Sequence, residues 1–171
     1  MRAPESNAGA TGLLLTPRYR NYVLGVLFLA YAVNVMDRAV LGVLLQSIKN
    51  EFHASDTQLG LLGGIAFALF YATLGIPIAA WADRSSRRNV LALAVALWSA
   101  MTALCGAAAS FAMLVLARIG TAIGEAGGTP PSHSLISDYF PLRQRATALS
   151  LYALDIPIGA ALGSSAGGWL N

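Results

Sequence analysis

The chain has 171 residues, of which 56% are hydrophobic and 11% charged, against roughly 25% charged in an ordinary soluble domain. So small a polar share excludes a water-soluble globular core, and the charges fall in clusters that punctuate long apolar runs. The formal net charge of +3 does not point to nucleic acid, because the basic residues flank the apolar runs, where membrane topology accounts for them.

Residues 1–20 read as a cytoplasmic tail. They carry Arg2 and Glu5, and their one apolar block, Leu13, Leu14 and Leu15, is shorter than the roughly 7 to 15 residues of a signal-peptide core. Five runs then reach the length of about 20 apolar residues that crosses a hydrocarbon core about 30 Å thick. They are residues 22–45, 59–82, 89–109, 111–129 and 146–170. Each run is continuous rather than alternating and rich in Ala and Leu, so helices are expected and strands are not. The connections are short, which makes consecutive helices antiparallel neighbours. The fold class is therefore an all-α membrane protein.

Orientation follows from the arginines. Arg2, Arg18 and Arg20 precede the first run, Arg84, Arg87 and Arg88 lie between the second and third, and Arg143 and Arg145 lie between the fourth and fifth, while the opposite side has only Lys49. The positive-inside rule puts the N-terminus in the cytoplasm, and a bacterial inner membrane is the expected location. The fifth run closes at Trp169 and Leu170, after an odd number of helices. The expectation is that residues 21–171 are the partial N-terminal half of a longer protein, whose C-terminal half would cover the polar groups inside the spans.

Two arginines lie within the spans. Arg38 follows Asp37 in the first, and Arg118 and Glu125 share the fourth. Ionisable groups at membrane depth are costly and mark transport pathways or proton relays. Arg118 and Glu125 are seven residues apart, two helical turns, so they share one face. Tyr31, Asn34, Asp37 and Arg38 follow three- and four-residue steps, giving the first helix its own polar stripe. At about 1.5 Å per residue, Asp37 and Arg118 are level, each roughly 10 Å inside the outer boundary. Glu125 sits about 10 Å deeper, where Asp155 of the fifth span also arrives. The expected roles are Glu125 as first proton carrier, Asp37 as second, and Arg118 as their shared counter-ion. The competing reading is a static ion-pair network that fixes only helix packing.

Gly120, Gly124 and Gly128 form a small-residue seam on the fourth helix, and Gly159, Gly163 and Gly167 form one on the fifth; such seams let another backbone approach closely. Pro77 and Pro157 are expected to kink their helices. His53 and His133 lack metal-spaced partners, Cys105 reads as a small core residue, and no catalytic, metal or cofactor motif is expected.

The loop after the second run reads Ala79-Ala-Trp-Ala-Asp83-Arg84-Ser-Ser86-Arg87-Arg88. It resembles the loop signature of the major facilitator superfamily, with Ala79 and Ser86 in place of that signature's glycines. A carboxylate at a helix end can cap a neighbouring helix and pair with arginines, so Asp83, Arg84, Arg87 and Arg88 are expected to latch one conformational state. Arg118 together with Gly124-Glu125-Ala126, and Asp37-Arg38 in the first helix, resemble the spinster-type branch of that superfamily. The steps from Asp155 through Gly159, Gly163 and Gly167 resemble the fifth-helix glycine motif of antiporters. These resemblances imply helices 1–5 of a major-facilitator-type bundle in a secondary transporter. They further imply a proton-coupled or facilitated carrier of a lipid-like or other amphipathic small molecule, with the bilayer, protons and that substrate as partners. The alternatives are a symporter of small organic anions and a non-transporting scaffold or partner subunit.

Overall fold

The computed structural model describes residues 16–170, apart from the side chains of Ala66, Ala79, Ala82 and Asp83. Most of the tail assigned to residues 1–20, and Asn171, lie outside the described residues. Eight α-helices follow in order: α1 (Pro17–Phe52), α2 (Asp56–Gly60), α3 (Ala66–Arg84), α4 (Arg87–Gly106), α5 (Phe111–Ala126), α6 (Thr129–Tyr139), α7 (Leu142–Tyr152) and α8 (Asp155–Leu170). A π-helical turn, Leu61–Ile65, joins α2 to α3. Together they form five lengths of helix long and apolar enough to cross a membrane.

Helix α1 has 36 residues, well beyond residues 22–45. Hydropathy marks where the apolar environment ends, whereas a helix runs on until something stops it. Pro17 sits at its start, where a missing N–H costs nothing, and it ends only at His53, whose φ of 50° is left-handed. Helix α2 opens on a reciprocal cap: Ser55 Oγ accepts from the Gln58 backbone N–H at 3.3 Å, and Gln58 Oε1 accepts from the Ser55 N–H at 2.8 Å.

The fourth and fifth spans differ from expectation in being broken. The apolar run of residues 111–129 predicts one helix, but α5 stops at Ala126 and α6 begins at Thr129, carrying the span on to Tyr139. Pro130 and Pro131 have no N–H to donate back to Ala126 and Gly127, so the chain restarts a helix with both prolines in its first turn. The fifth span breaks in the same way between Tyr152 and Asp155. Pro157 lies in the first turn of α8, so it begins a helix there and does not bend the middle of one. Pro77 remains inside α3.

Helix α1 packs chiefly along α8, and α5 packs along α4 and then α3. Glycines set both approaches. A Cβ on Gly124 would come 2.7 Å from the Trp98 backbone N of α4, and one on Gly163 would come 2.5 Å from the Met36 carbonyl O of α1. Gly120 lies against Met101, Gly128 against the Tyr31 hydroxyl, Gly159 against the Ala32 backbone and Gly167 against Val43. An apolar cluster of Leu27, Tyr31, Ile136, Phe140, Ala148 and Tyr152 ties α1 to α6 and α7 at the end of the bundle that carries the N-terminus. Buried among these helices, α5 brings Arg118 and Glu125 into the interior.

Candidate functional site

Two ion pairs cross between α1 and α5. Arg118 Nη1 donates to Asp37 Oδ2 at 3.1 Å, and Thr102 Oγ1 of α4 donates to the same oxygen at 3.5 Å. Arg38 Nε donates to Glu125 Oε2 at 2.7 Å, and its Nη2 donates to that oxygen as well. Each helix therefore supplies one acid and one base. Asp37 and Arg38 are successive residues, turned about 100° from each other around α1, while Arg118 and Glu125 are about 10 Å apart along α5. Arg38 spans that difference in depth with its long side chain, while Asp37, shorter, meets Arg118 at its own level. Counting residues alone finds the Asp37–Arg118 pair but misses Arg38–Glu125, because it places α-carbons and not guanidinium groups. Glu125 is accordingly held by Arg38, and no hydrogen bond from Arg118 reaches it among the described residues.

Burial of the two pairs differs. The Glu125 side chain is 1% exposed behind an Arg38 that is 42% exposed, while Arg118 and Asp37 are 7% and 20% exposed. Phe67 of α3 roofs both pairs: its ring centroid lies 4.6 Å from Arg38 Cζ and 5.4 Å from Arg118 Cζ. Tyr71, one turn on, stacks with Phe67 at 5.9 Å and lies 5.7 Å from Arg38 Cζ. A guanidinium over an aromatic face is attracted by the ring's negative centre. This aromatic roof escaped the sequence reading, where a four-residue aromatic step on an apolar span looks like ordinary core.

Each pair lends residues to a different cavity, and Arg38 and Arg118 together line a third. Tyr31, Asn34, Arg38 and Asp155 come together around a central cavity of about 460 Å³, with Tyr71, His133 and Tyr152. Asp37 and Arg118 line a second, of about 320 Å³, together with Glu51, Thr102 and Cys105. Glu125 lines neither. Asp155, expected near Glu125, faces the central cavity at the first residue of α8, 4% exposed. Cys105 is half-buried at the second cavity's wall. His133 lies in the first half of α6 and meets Tyr152 edge to face at 5.5 Å.

A third polar cluster lies at the end of the bundle that carries the N-terminus. Arg87 is paired with Asp138 of α6, and Arg145 Nη2 donates to the Ser137 carbonyl. Arg20 covers the Phe140 ring at 5.4 Å, and Arg88 borders a cleft with Tyr19 and Tyr139. Arg84 is exposed at the end of α3. The Asp83 side chain, named with these arginines as a latch, lies outside the described residues. Asp138 is the partner that the sequence reading did not assign to Arg87.

Crossed ion pairs thus lie inside a bundle of helices long and apolar enough to cross a membrane. Residues 27–171 match the Major Facilitator Superfamily, and the chain belongs to that family. It is 50% identical to a bacterial homolog of the human lysosomal transporter Spinster, solved in an inward-facing, unoccupied conformation, with a TM-score of 0.87 over 91% of this chain and 33% of that one. It is 38% identical over 154 residues to an MFS-type efflux pump of Mycolicibacterium smegmatis, covering 90% of this chain and 36% of the pump. It is 32% identical to a probable L-galactonate transporter of Escherichia coli, over 85% of this chain and 32% of the relative. Protein spinster homolog 1 of Xenopus tropicalis is 31% identical, over 91% of this chain and 30% of the relative. The chain thus spans about a third of the length of these relatives, and within the superfamily it is spinster-like.

Proposed function

We propose that the chain is the N-terminal part of a secondary active transporter that moves a lipid-like or other amphipathic small molecule by alternating access, coupled to protons. The observation that carries this is the crossed pair of salt bridges, Asp37 with Arg118 and Arg38 with Glu125. Membrane-embedded charges that fixed packing alone would be replaceable by apolar side chains with little loss. Charges that relay protons must instead exchange partners.

In this account a proton on Glu125 frees Arg38 to turn into the central cavity, and a proton on Asp37 frees Arg118. Each event changes which helix faces hold together, and the two halves rock about a midplane site. The arginine-rich end faces the cytoplasm of a bacterial cell, with Asp37 nearer the outer face of its inner membrane. The C-terminal half of the same protein would complete the chamber. Arg87, Arg84 and Arg88, with Asp83 and Asp138, form the latch that holds one access state.

A second reading, symport of a small organic anion, is favoured by one observation: Arg38 is 42% exposed where it borders the central cavity. The probable L-galactonate transporter and the hexuronate transporter of Bacillus subtilis are relatives whose names fit it. A test uses the full-length protein in vesicles loaded with a pH dye. Proton movement on adding lysophospholipids supports the first reading and movement on adding hexuronates alone supports the second. Silence towards both classes, with the protein folded and oriented, contradicts proton-coupled transport of either.

A further inference from the structure

Among the described residues three acidic side chains reach the interior of the bundle, and their surroundings differ. Asp37 and Glu125 each face an arginine. Asp155 is 4% exposed, its Oδ1 makes no hydrogen bond, and no arginine or lysine forms an ion pair with it among the described residues. It is the first residue of α8, where the positive end of the helix dipole favours a carboxylate. Arg38 borders the same cavity, but its charge is taken up by Glu125 and its face is covered by Phe67. At this cavity Asp155 is therefore the carboxylate without an ion-pair partner among the described residues, with His133 on the same wall as the titratable group that acts on it.

The wall around it is aromatic. Tyr31 and Tyr152 meet edge to face at 5.3 Å, His133 meets Tyr152 at 5.5 Å, and Tyr71 lies on the same cavity. Rings arranged beside a buried carboxylate attract a cation through their faces while excluding water. Asn34 is 3% exposed and its Nδ2, like the Tyr31 and Tyr152 hydroxyls on the same cavity, has no hydrogen-bond partner, leaving buried donors for an oxygen of a ligand. A cavity of about 460 Å³ falls within the range of roughly 300 to 1,000 Å³ that holds a small organic molecule.

We propose that the central cavity recognises an organic cation, with Asp155 as its counter-charge and Tyr31, Tyr71 and Tyr152 as its cage. This narrows the substrate of the carrier described above and rests on the central cavity being its binding chamber. Asp155 is the specificity-determining residue: it selects a positively charged or ammonium-bearing group over a neutral one of equal shape. Asn34 orients the ligand by donating to an acceptor near that group.

The test compares two isosteres, benzyltrimethylammonium and neutral neopentylbenzene, for equilibrium binding to the purified full-length protein by calorimetry. The wild type should prefer the cation by about tenfold or more, and Asp155→Asn should lower that preference severalfold, to what the ring faces supply alone. Equal affinity for the two compounds in the wild type, or an undiminished preference in folded Asp155→Asn, would overturn the proposal. Should Asp155→Asn not fold, Tyr152→Leu serves instead: reduced selectivity supports the cage and unchanged selectivity overturns it. No flux or proton gradient enters the measurement, so a carrier shown not to couple protons would still pass or fail it separately.

Discussion

Arg38 of α1 gives both Nε and Nη2 to one oxygen of Glu125 on α5, with Nε at 2.7 Å, while Glu125 Oε1 makes no hydrogen bond among the described residues. The acid is thus gripped from one side only, by a side chain that also borders the central cavity. A partner so placed can leave without disturbing the helix packing, because the glycine seams hold α5 against α4 and α8 against α1, not α1 against α5.

The coupling between these two residues is measurable. Arg38→Met should destabilise the full-length protein because it leaves the Glu125 carboxylate buried and unpaired. Adding Glu125→Gln should recover part of the loss, giving a coupling of about 0.5 to 3 kcal/mol in a double-mutant cycle. Thermal unfolding in detergent reads it, and strictly additive effects would mean that the pair contributes nothing.

The glycine seams predict a contrast in stability. Gly163→Val forces a side chain against the Met36 carbonyl and the Ala39 methyl, and should cost about 1 to 3 kcal/mol by overpacking. Gly25→Ala meets nothing within 4 Å and should gain up to about 1 kcal/mol from helix propensity. Melting temperatures that move the same way in both variants would contradict the seam.

The Phe67 roof makes a third prediction. Phe67→Leu keeps an apolar side chain of similar reach but removes the π face, and should weaken the hold on Arg38 and Arg118 by about 0.5 to 2 kcal/mol. The expected result is a shifted pH profile of transport with the protein still folded. Phe67→Tyr should stay close to wild type, and a profile unchanged in both would reduce the ring to filler.

Asp138→Asn tests the latch at Arg87. Loss of that pair should shift the balance of access states by a coupling of about 1 to 3 kcal/mol. Spectroscopic distances between probes on the two faces of the full-length protein read it, and unmoved populations would leave Arg87 and Asp138 as surface anchors. Asp83→Asn is expected to move the same equilibrium.

Counting residues made the five spans and the level meeting of Asp37 with Arg118 legible, because a helix advances by a fixed rise. The same arithmetic was blind to Arg38 and Glu125, which meet through a flexible chain several bonds long. It was blind also to the ends of helices. Residues 46–52 are too polar to count as membrane and yet stay helical, since nothing stops α1 before His53. The breaks at Gly127 and Gly128 and at Ala153 and Leu154 interrupt spans that hydropathy reads as continuous. Their prolines are visible in the sequence, but hydropathy runs unbroken across Pro157 and leaves the restart of α8 unmarked. Contacts between distant stretches, such as Phe67 over two arginines or Asp138 beside Arg87, depend on the packing of α3 and α6 and have no local sign.

The central claim, that Glu125 carries the coupled proton, is tested most directly by Glu125→Gln in the full-length protein reconstituted into vesicles. Two fluxes of the same substrate are compared, uptake driven by a pH gradient and exchange at equal pH on both sides. The account predicts that Glu125→Gln loses the gradient-driven uptake and keeps exchange, with Asp37→Asn showing a milder form of the same split. Gradient-driven uptake at wild-type strength and with wild-type pH dependence, in a well-folded Glu125→Gln protein, would contradict it and leave the crossed ion pairs as a static brace between α1 and α5.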